Sequence, residues 1–545
     1  MGHRRPAISG DPGRRAVRGC LIFPGCRQKP PFDFSGFPGK LPANARQPMG
    51  RILMEYRLAL FFLSFYYLRP QDWVPGLSGL NLVQPIIGLW IVVLFAYRSS
   101  QSPLPGLLRT PHDWLMLTYF GYIMWTTPDW SFAFSDIFSL VVFYVLTVQS
   151  LTNWSQIYGY LRWWNAMLLA VAIIGLLSLI GIDPTGAAEL TERNVGRLTI
   201  GTWLHNNPNA LGHSVVTIIP LSYFMFFWKG SVSGRFIVFP ICFFIAGACA
   251  WQTESKGSYL VGGALVVLLF VIGRHRIVQV SAIVLALTVG LSALSFLPRM
   301  EHMGNVQSDE GVIGRIMAWD LARTATREHP TGVGYRQFRA LIDWVDGTRH
   351  YHDIPKATHS SYVSVGADLG VYGLFIYVCL IWVAVRSTLF MKTRNDLEER
   401  CRRAIVILIA ANCMSGWMIN RGYHTEYFLL IAVSAAMHRL RIRDEMESLA
   451  PAPEKRKSRV LEAPAGGLVL AGATGSGTAA LSDRVFSLPG RIESPDRSQS
   501  GGTRPHEFVE KKKKLWNRVN WIDFAVAGAF TWVIFAVWDY VIQMI

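Results

Sequence analysis

The sequence predicts an all-α polytopic membrane protein with about twelve transmembrane helices, one further helix at the C-terminus and a long outer-face loop subdomain. Three observations predict it. Only 16% of the 545 residues are charged, 51% are hydrophobic and the mean hydropathy is +0.28; an ordinary soluble domain carries about 25% charged residues. Apolar runs recur along the chain at lengths that suit helices in lipid. Basic residues collect in alternate loops, as the positive-inside rule requires of a chain threaded through a bilayer.

The apolar runs lie near 56–69, 81–97, 113–126, 131–150, 160–182, 208–228, 235–250, 258–273, 277–297, 358–386, 403–420, 423–438 and 520–542. Several fall short of the ~20 residues that an upright span needs, so their ends are soft. Before them, residues 1–53 are rich in Pro, Gly and Arg and lack the apolar h-region of a secretory signal. They read as a basic disordered arm or as a start set too early, with Met49 or Met54 the natural first residue; the second reading is the favoured one. Residues 54–440 form the membrane-embedded body, 441–518 a flexible basic linker of Gly, Ala, Ser, Pro and charge, and 519–545 an extra transmembrane helix. The linker's Gly-Ala-Thr-Gly-Ser-Gly-Thr-Ala lacks the Gly-Lys-Ser/Thr ending of a phosphate loop.

The net charge of +17 raises nucleic acid as a partner, and its distribution argues against one. The first 57 residues hold eleven Arg and Lys against three acids, and the tail carries Lys455-Arg456-Lys457 and Lys511 to Lys514. Such juxtamembrane clusters suit anionic lipid headgroups. Seven cysteines without a CxxC read as core thiols, with neither a disulfide framework nor a metal site.

The basic loops around Arg98 and Arg109, Arg162, Lys229 and Arg235, Arg274 and Arg276, and 386–403 share one face if the N-terminus is cytoplasmic. The outer connections are then 70–80, 126–131, 183–207, 251–257, 298–357 and 420–423. The longest, 298–357, balances eight basic residues with eight acidic ones, and Trp319, Phe338 and Trp344 mark it as a folded piece.

Four clusters on or beside that face can carry chemistry. Asn207-Pro208-Asn209 enters a helix; capping explains Asn207 and Pro208 but not Asn209 and His213, which are four apart on one face. Thr253-Glu-Ser-Lys256-Gly-Ser258 joins two spans, where a lone Lys commonly snorkels to the headgroups. Arg315 precedes Trp319 by four residues, and His329-Pro-Thr-Gly-Val-Gly334-Tyr-Arg336-Gln-Phe338 follows. The plain reading of Arg315 is a surface charge paired with Asp320 or Glu310. His359-Ser-Ser-Tyr362 runs into a Gly-rich helix; a lone His is most often a satisfied structural one, and a place at the mouth of a bundle raises the functional odds.

In order and spacing these clusters resemble the O-antigen ligase and polymerase family of membrane glycosyltransferases. That family's pattern is an Asn-Pro-Asn helix entry, a Ser-Arg-Gly between spans, an Arg with a Trp four residues on, a His-Pro-x-Gly-x-Gly-x-x-x-Phe and a His-Asn/Ser-x-Tyr. It is met here by Asn207-Pro208-Asn209, Ser255-Lys256-Gly257, Arg315 with Trp319, His329 to Phe338, and His359 to Tyr362. Lys256 departs from it, keeping the charge of the family's Arg and losing the bidentate fork. The likeness spans roughly 54–440 and omits the arm, the linker and the last helix.

The resemblance implies a GT-C-like bundle at the bacterial inner membrane, with its active site on the outer face. It implies a glycan donor on polyprenyl (undecaprenyl) pyrophosphate, and an acceptor hydroxyl on lipid A core, a growing glycan or a protein. No cofactor is expected. Arg315 and Lys256 would clamp the departing pyrophosphate and His359 would be the general base. Arg336, His329, Trp319, Asn209 and His213 would bind substrate. The outer loops hold no DxD, and the spacing of Asp343 with Asp346 and of His350 with His352 is not diagnostic, so metal independence is expected. The alternative is a flippase or transporter for a lipid-linked glycan, which would place ionisable residues mid-span and show repeats between its halves. Ligases, polymerases and protein O-glycosylation enzymes share these motifs.

Overall fold

The computed structural model describes residues 49–80, 82–98, 106–290, 292, 310–338, 357–449 and 518–543. The arm up to 48, the linker from 450 to 517, and residues 298–309 and 339–356 of the 298–357 loop therefore lie outside the described residues, as do Trp344, Asp343, Asp346, His350 and His352.

Among the described residues the structure is all helical. The helices in chain order are α1 Met49–Leu68, α2 Pro70–Trp73, α3 Val83–Arg98, α4 Pro111–Thr126, α5 Trp130–Ser150, α6 Trp154–Ser178, α7 Ala187–Arg193, α8 Pro208–Phe227, α9 Gly234–Thr253 and α10 Lys256–Val271. They continue as α11 Arg276–Leu285, α12 Glu310–Glu328, α13 Ser361–Leu389, α14 Asp396–Ser415, α15 Thr425–Leu449 and α16 Trp521–Gln543. Every apolar run read from the sequence falls at least in part on one of these, the 277–297 run through its described residues. Six of the helices, α5, α6, α8, α9, α13 and α16, are long and apolar enough to cross a membrane. Length and composition support a multi-pass membrane protein without fixing the number of crossings.

Polar caps set where the helices begin. Thr110 and Asp113 form a reciprocal capping box at α4, and Asn153, Asn207, Ser255, Ser360 and Asn395 cap α6, α8, α10, α13 and α14 through their side chains. Two segments expected as basic loops are helical for this reason. Arg162 lies inside α6, its guanidinium over the Tyr158 and Phe226 rings. Residues 396–403 form the first turns of α14, where Asp396, Glu398 and Glu399 favour the N-terminus and Glu399 pairs with Arg402 and Arg403. Likewise α15 runs on to Leu449, into the stretch read as linker, helped by an Arg441–Glu445 pair one turn apart.

The centre of the bundle is α13, packed by α4, α12, α14, α15 and α16. It is kinked at Gly370, whose φ of 66° and ψ of −168° only glycine adopts readily. The kink lets the segment after α12 dock against the helix backbone: Val371 N–H donates to the Pro330 carbonyl (2.9 Å) and Gly334 N–H to that of Asp368 (2.8 Å). Cys242, Cys249, Cys379 and Cys401 are buried free thiols and Cys413 is a half-buried one.

Candidate functional site

The Asn-Pro-Asn entry and the Ser-Lys-Gly turn pack together. A side chain at Gly212 would come within 2.6 Å of Ser258 Oγ and 2.8 Å of Thr253 Oγ1, so glycine is what allows α8 to approach the start of α10. One residue on, His213 is buried, with Nδ1 2.9 Å from Ser415 Oγ on α14. Its Nε2 has no hydrogen-bond partner among the described residues and would sit 2.9 Å from a Cβ at Gly257. Asn209 is held by a residue the sequence did not single out: Arg197 donates to Asn209 Oδ1 (2.9 Å) and to the Thr253 carbonyl (3.1 Å). Lys256, half-buried at the first position of α10, is engaged with neighbours.

The other two clusters also join. Trp319 is buried in α12, and its indole N–H donates 2.7 Å to the carbonyl of Thr358, the residue before His359. The Trp319 ring is packed inside the bundle, tilted against Trp417. His359 has a left-handed backbone (φ 50°) and is half-buried, with Ser360 behind it capping α13. Arg315 lies one turn before Trp319, half-buried and engaged with neighbours. His329 is exposed at the end of α12. Arg336 is ion-paired with Asp136 at 3.0 Å and lies over the Tyr335 and Tyr423 rings. The Tyr335 hydroxyl donates to the same carboxylate (2.9 Å), and burial drives that phenol's pKa well above its ordinary value.

Arg421, in the short turn before α15, links the two halves. Only 8% exposed, it donates to the Ala210 carbonyl (2.7 Å) and Ser214 Oγ (2.9 Å) on α8 and pairs with Glu426 at 2.5 Å. Its backbone N–H donates to Ser361 Oγ on α13 (2.9 Å). Glu426 also accepts from Tyr67 on α1, whose oxygen accepts from the Trp164 indole on α6. Beside them His205 meets Ser214 Oγ at 3.2 Å; burial first, then the Arg421 and Arg69 charges, hold its pKa well below the usual imidazole value. His424, stacked on Trp203, is held down to about 3 by burial and then by Arg421 and Arg336. Sequence reasoning missed Arg421 because the polar stretch Asn420-Arg421-Gly-Tyr-His424-Thr425-Glu426 was read as a short turn running into an apolar span. The one signal was an ionisable side chain between two apolar runs.

Around Arg421, His213, Ser361 and Glu426 lies a cavity of about 40 Å³. By this measure a water needs roughly 10–15 Å³, so the space holds a few waters and no sugar ring.

Residues 241–378 match the family model described as O-antigen ligase. The match runs from α9 to α13 and takes in Lys256, Arg315, Trp319, His329, Arg336 and His359; Asn209, His213, Arg421 and α16 lie outside it. No curated protein matches the chain.

Proposed function

We propose that this chain, which belongs to the O-antigen ligase family through its residues 241–378, transfers a glycan from a polyprenyl pyrophosphate to an acceptor hydroxyl at the outer face of the bacterial inner membrane. Its body would cross the bilayer about twelve times, with α16 as an additional span. The observation that carries the reading is the junction around His213 and Arg421. Segments far apart in sequence meet through neighbours of the proposed residues: Gly257 beside His213, Trp319 on the Thr358 carbonyl and Ser361 on Arg421.

The chemistry follows from the donor's bond. The acceptor oxygen attacks the anomeric carbon, the bond from that carbon to the phosphate oxygen breaks, and polyprenyl pyrophosphate leaves with the electron pair. His359 takes the acceptor's proton, which requires a neutral imidazole. Arg315 and Lys256 offset the charge that grows on the leaving pyrophosphate. Because Asp136 already neutralises much of Arg336, that residue serves better as an orienting contact than as a third clamp. His329 is exposed and can meet the glycan; Asn209 and His213, held by Arg197 and Ser415, order the pocket wall. Trp319 contributes by fixing the backbone before His359. These side chains supply charge and base without a metal ion, so a chelator is expected to leave transfer unchanged.

The acceptor is settled by deleting the gene and profiling glycans in the host. Unlinked chains on the lipid carrier indicate a ligase, single units a polymerase, and loss of protein glycans a protein O-glycosylation enzyme. Lipid-linked glycan trapped on the cytoplasmic leaflet would replace the transferase reading with the flippase one.

A further inference from the structure

The last helix lies outside the matched residues and beyond the stretch 450–517, yet it is tied in by polar contacts. Only 22% of its apolar window is buried, so apolar packing alone does not fix its position. At one end Asp523 pairs with Arg386 at 3.1 Å, the two side chains 1% and 3% exposed. Asp523 also accepts from the Trp382 indole (3.1 Å) and from Asn520 N–H (3.0 Å).

At the other end the polar contacts of Trp538 and Asp539 are, among the described residues, to one helix, α12. Asp539 receives Arg323 as a fork, Nε at 2.6 Å and Nη2 at 2.9 Å, with Arg327 at 3.4 Å. Trp538, fully buried, donates its indole N–H to the Trp319 carbonyl at 2.9 Å. Its ring lies where a side chain at Gly366 of α13 would be, 2.9 Å from the would-be Cβ. A relay results: Trp538 holds Trp319, and Trp319 holds the Thr358 carbonyl next to His359. A helix recruited only to fill lipid-facing space has no need to aim an indole and a carboxylate at the helix that carries Arg315.

We infer that α16 is a positioning element for the transfer reaction, with Trp538 and Asp539 as positioning residues. They keep α12, and with it Arg315, in register with the start of α13 and His359. The inference rests on the transferase reading for its consequence and on the contacts alone for its geometry.

Two readouts on the full chain in liposomes separate these: transfer kinetics per inserted molecule, and the distance between spin labels at the exposed positions 317 and 372 on α12 and α13. Trp538→Phe removes the N–H and leaves a smaller aromatic ring; Asp539→Arg repels α12; Arg323→Asp with Asp539→Arg restores the pair in reverse. The single variants are expected to broaden the distance and lower kcat by about 10²-fold, the usual consequence of a ~1 Å misplacement, with acceptor KM within about twofold. The double variant is expected to narrow the distance again and recover most of kcat. Wild-type kcat in both single variants, a loss of inserted protein with kcat per molecule unchanged, or a kcat loss with an unchanged distance would each overturn the inference. If the wild-type protein transfers nothing, the transferase reading fails and the distances alone decide: broadening in Trp538→Phe upholds the positioning contact, and an unchanged distribution removes it.

Discussion

Gly370→Ala is the substitution whose cost is most directly worked from the structure. The backbone there sits at φ 66°, ψ −168°, a region that non-glycine residues occupy at about 1–3 kcal/mol. A Cβ would also overlap the Pro330 carbonyl oxygen and lie 2.5 Å from the Gly332 nitrogen. Both are backbone atoms, so no rotamer change relieves the clash, and overpacking of this kind costs about 1–3 kcal/mol. Relief by withdrawing the 330–334 segment sacrifices the Val371-to-Pro330 and Gly334-to-Asp368 hydrogen bonds, at about 1 kcal/mol each. Either route weakens the α12–α13 junction by about 2–6 kcal/mol. A ~1 Å shift of that junction should reduce transfer by about 10²-fold. Gly263→Ala is the control: it is helical, a Cβ there meets no atom within 4 Å, and it should be neutral or stabilising by about 0.5–1 kcal/mol. The assay is transfer per inserted molecule in liposomes, with thermal unfolding followed on the same samples. Wild-type transfer and melting in Gly370→Ala would refute the reasoning.

Four further outcomes are expected. Lys256→Arg should be tolerated or raise kcat, because it adds a bidentate fork to an existing charge; a loss comparable to that of Lys256→Ala would show that the ammonium geometry itself is required. His359→Ala should lose about 10²–10⁴ in kcat through the missing base, and full activity in a steady-state assay would remove His359 from the mechanism. A cysteine at Asn305 should react with an impermeant thiol reagent in spheroplasts and one at Asn395 should not; the reverse pattern would invert the membrane orientation. For His424 the folded pKa of about 3 lies below the ordinary 6.5. Between these values the unfolded chain holds a proton that the folded one does not, so stability should fall as pH drops from 6.5 toward 3. His424→Gln should flatten the melting temperature over that window, and an unchanged slope would contradict a buried neutral imidazole.

The helices were legible because lipid-spanning segments announce themselves by hydropathy. Their ends were not, where a polar cap starts a helix ahead of its apolar run, as Asn153 does for Trp154 and Asn395 for Asp396. The Gly370 kink was invisible too, since a glycine in an apolar run carries no sign of the chain that docks against it. Within the site, the clusters at 207–213, 253–258, 315–338 and 359–362 could be picked out because each is locally dense in polar residues. What joins them could not. Arg421, Glu426, Tyr67 and Ser415 come from α1, α14, α15 and the turn between the last two, and nothing in their spacing shows that they meet. Nor did the sequence show where the Trp319 indole goes: it is buried in the α12–α13 contact and donates to the Thr358 carbonyl.

The central claim is that Arg315 and its neighbours move a glycan from a polyprenyl pyrophosphate, and purified protein in liposomes tests it most directly. With a polyprenyl-pyrophosphate glycan and a hydroxyl acceptor, the wild-type chain should form linked product and release polyprenyl pyrophosphate, with or without chelator. Arg315→Ala should insert normally and lose about 10²–10³ in rate, and Arg315→Lys should recover part of it. No product from the wild-type chain with lipid A core, glycan and protein acceptors alike, or undiminished product from Arg315→Ala, would contradict the claim.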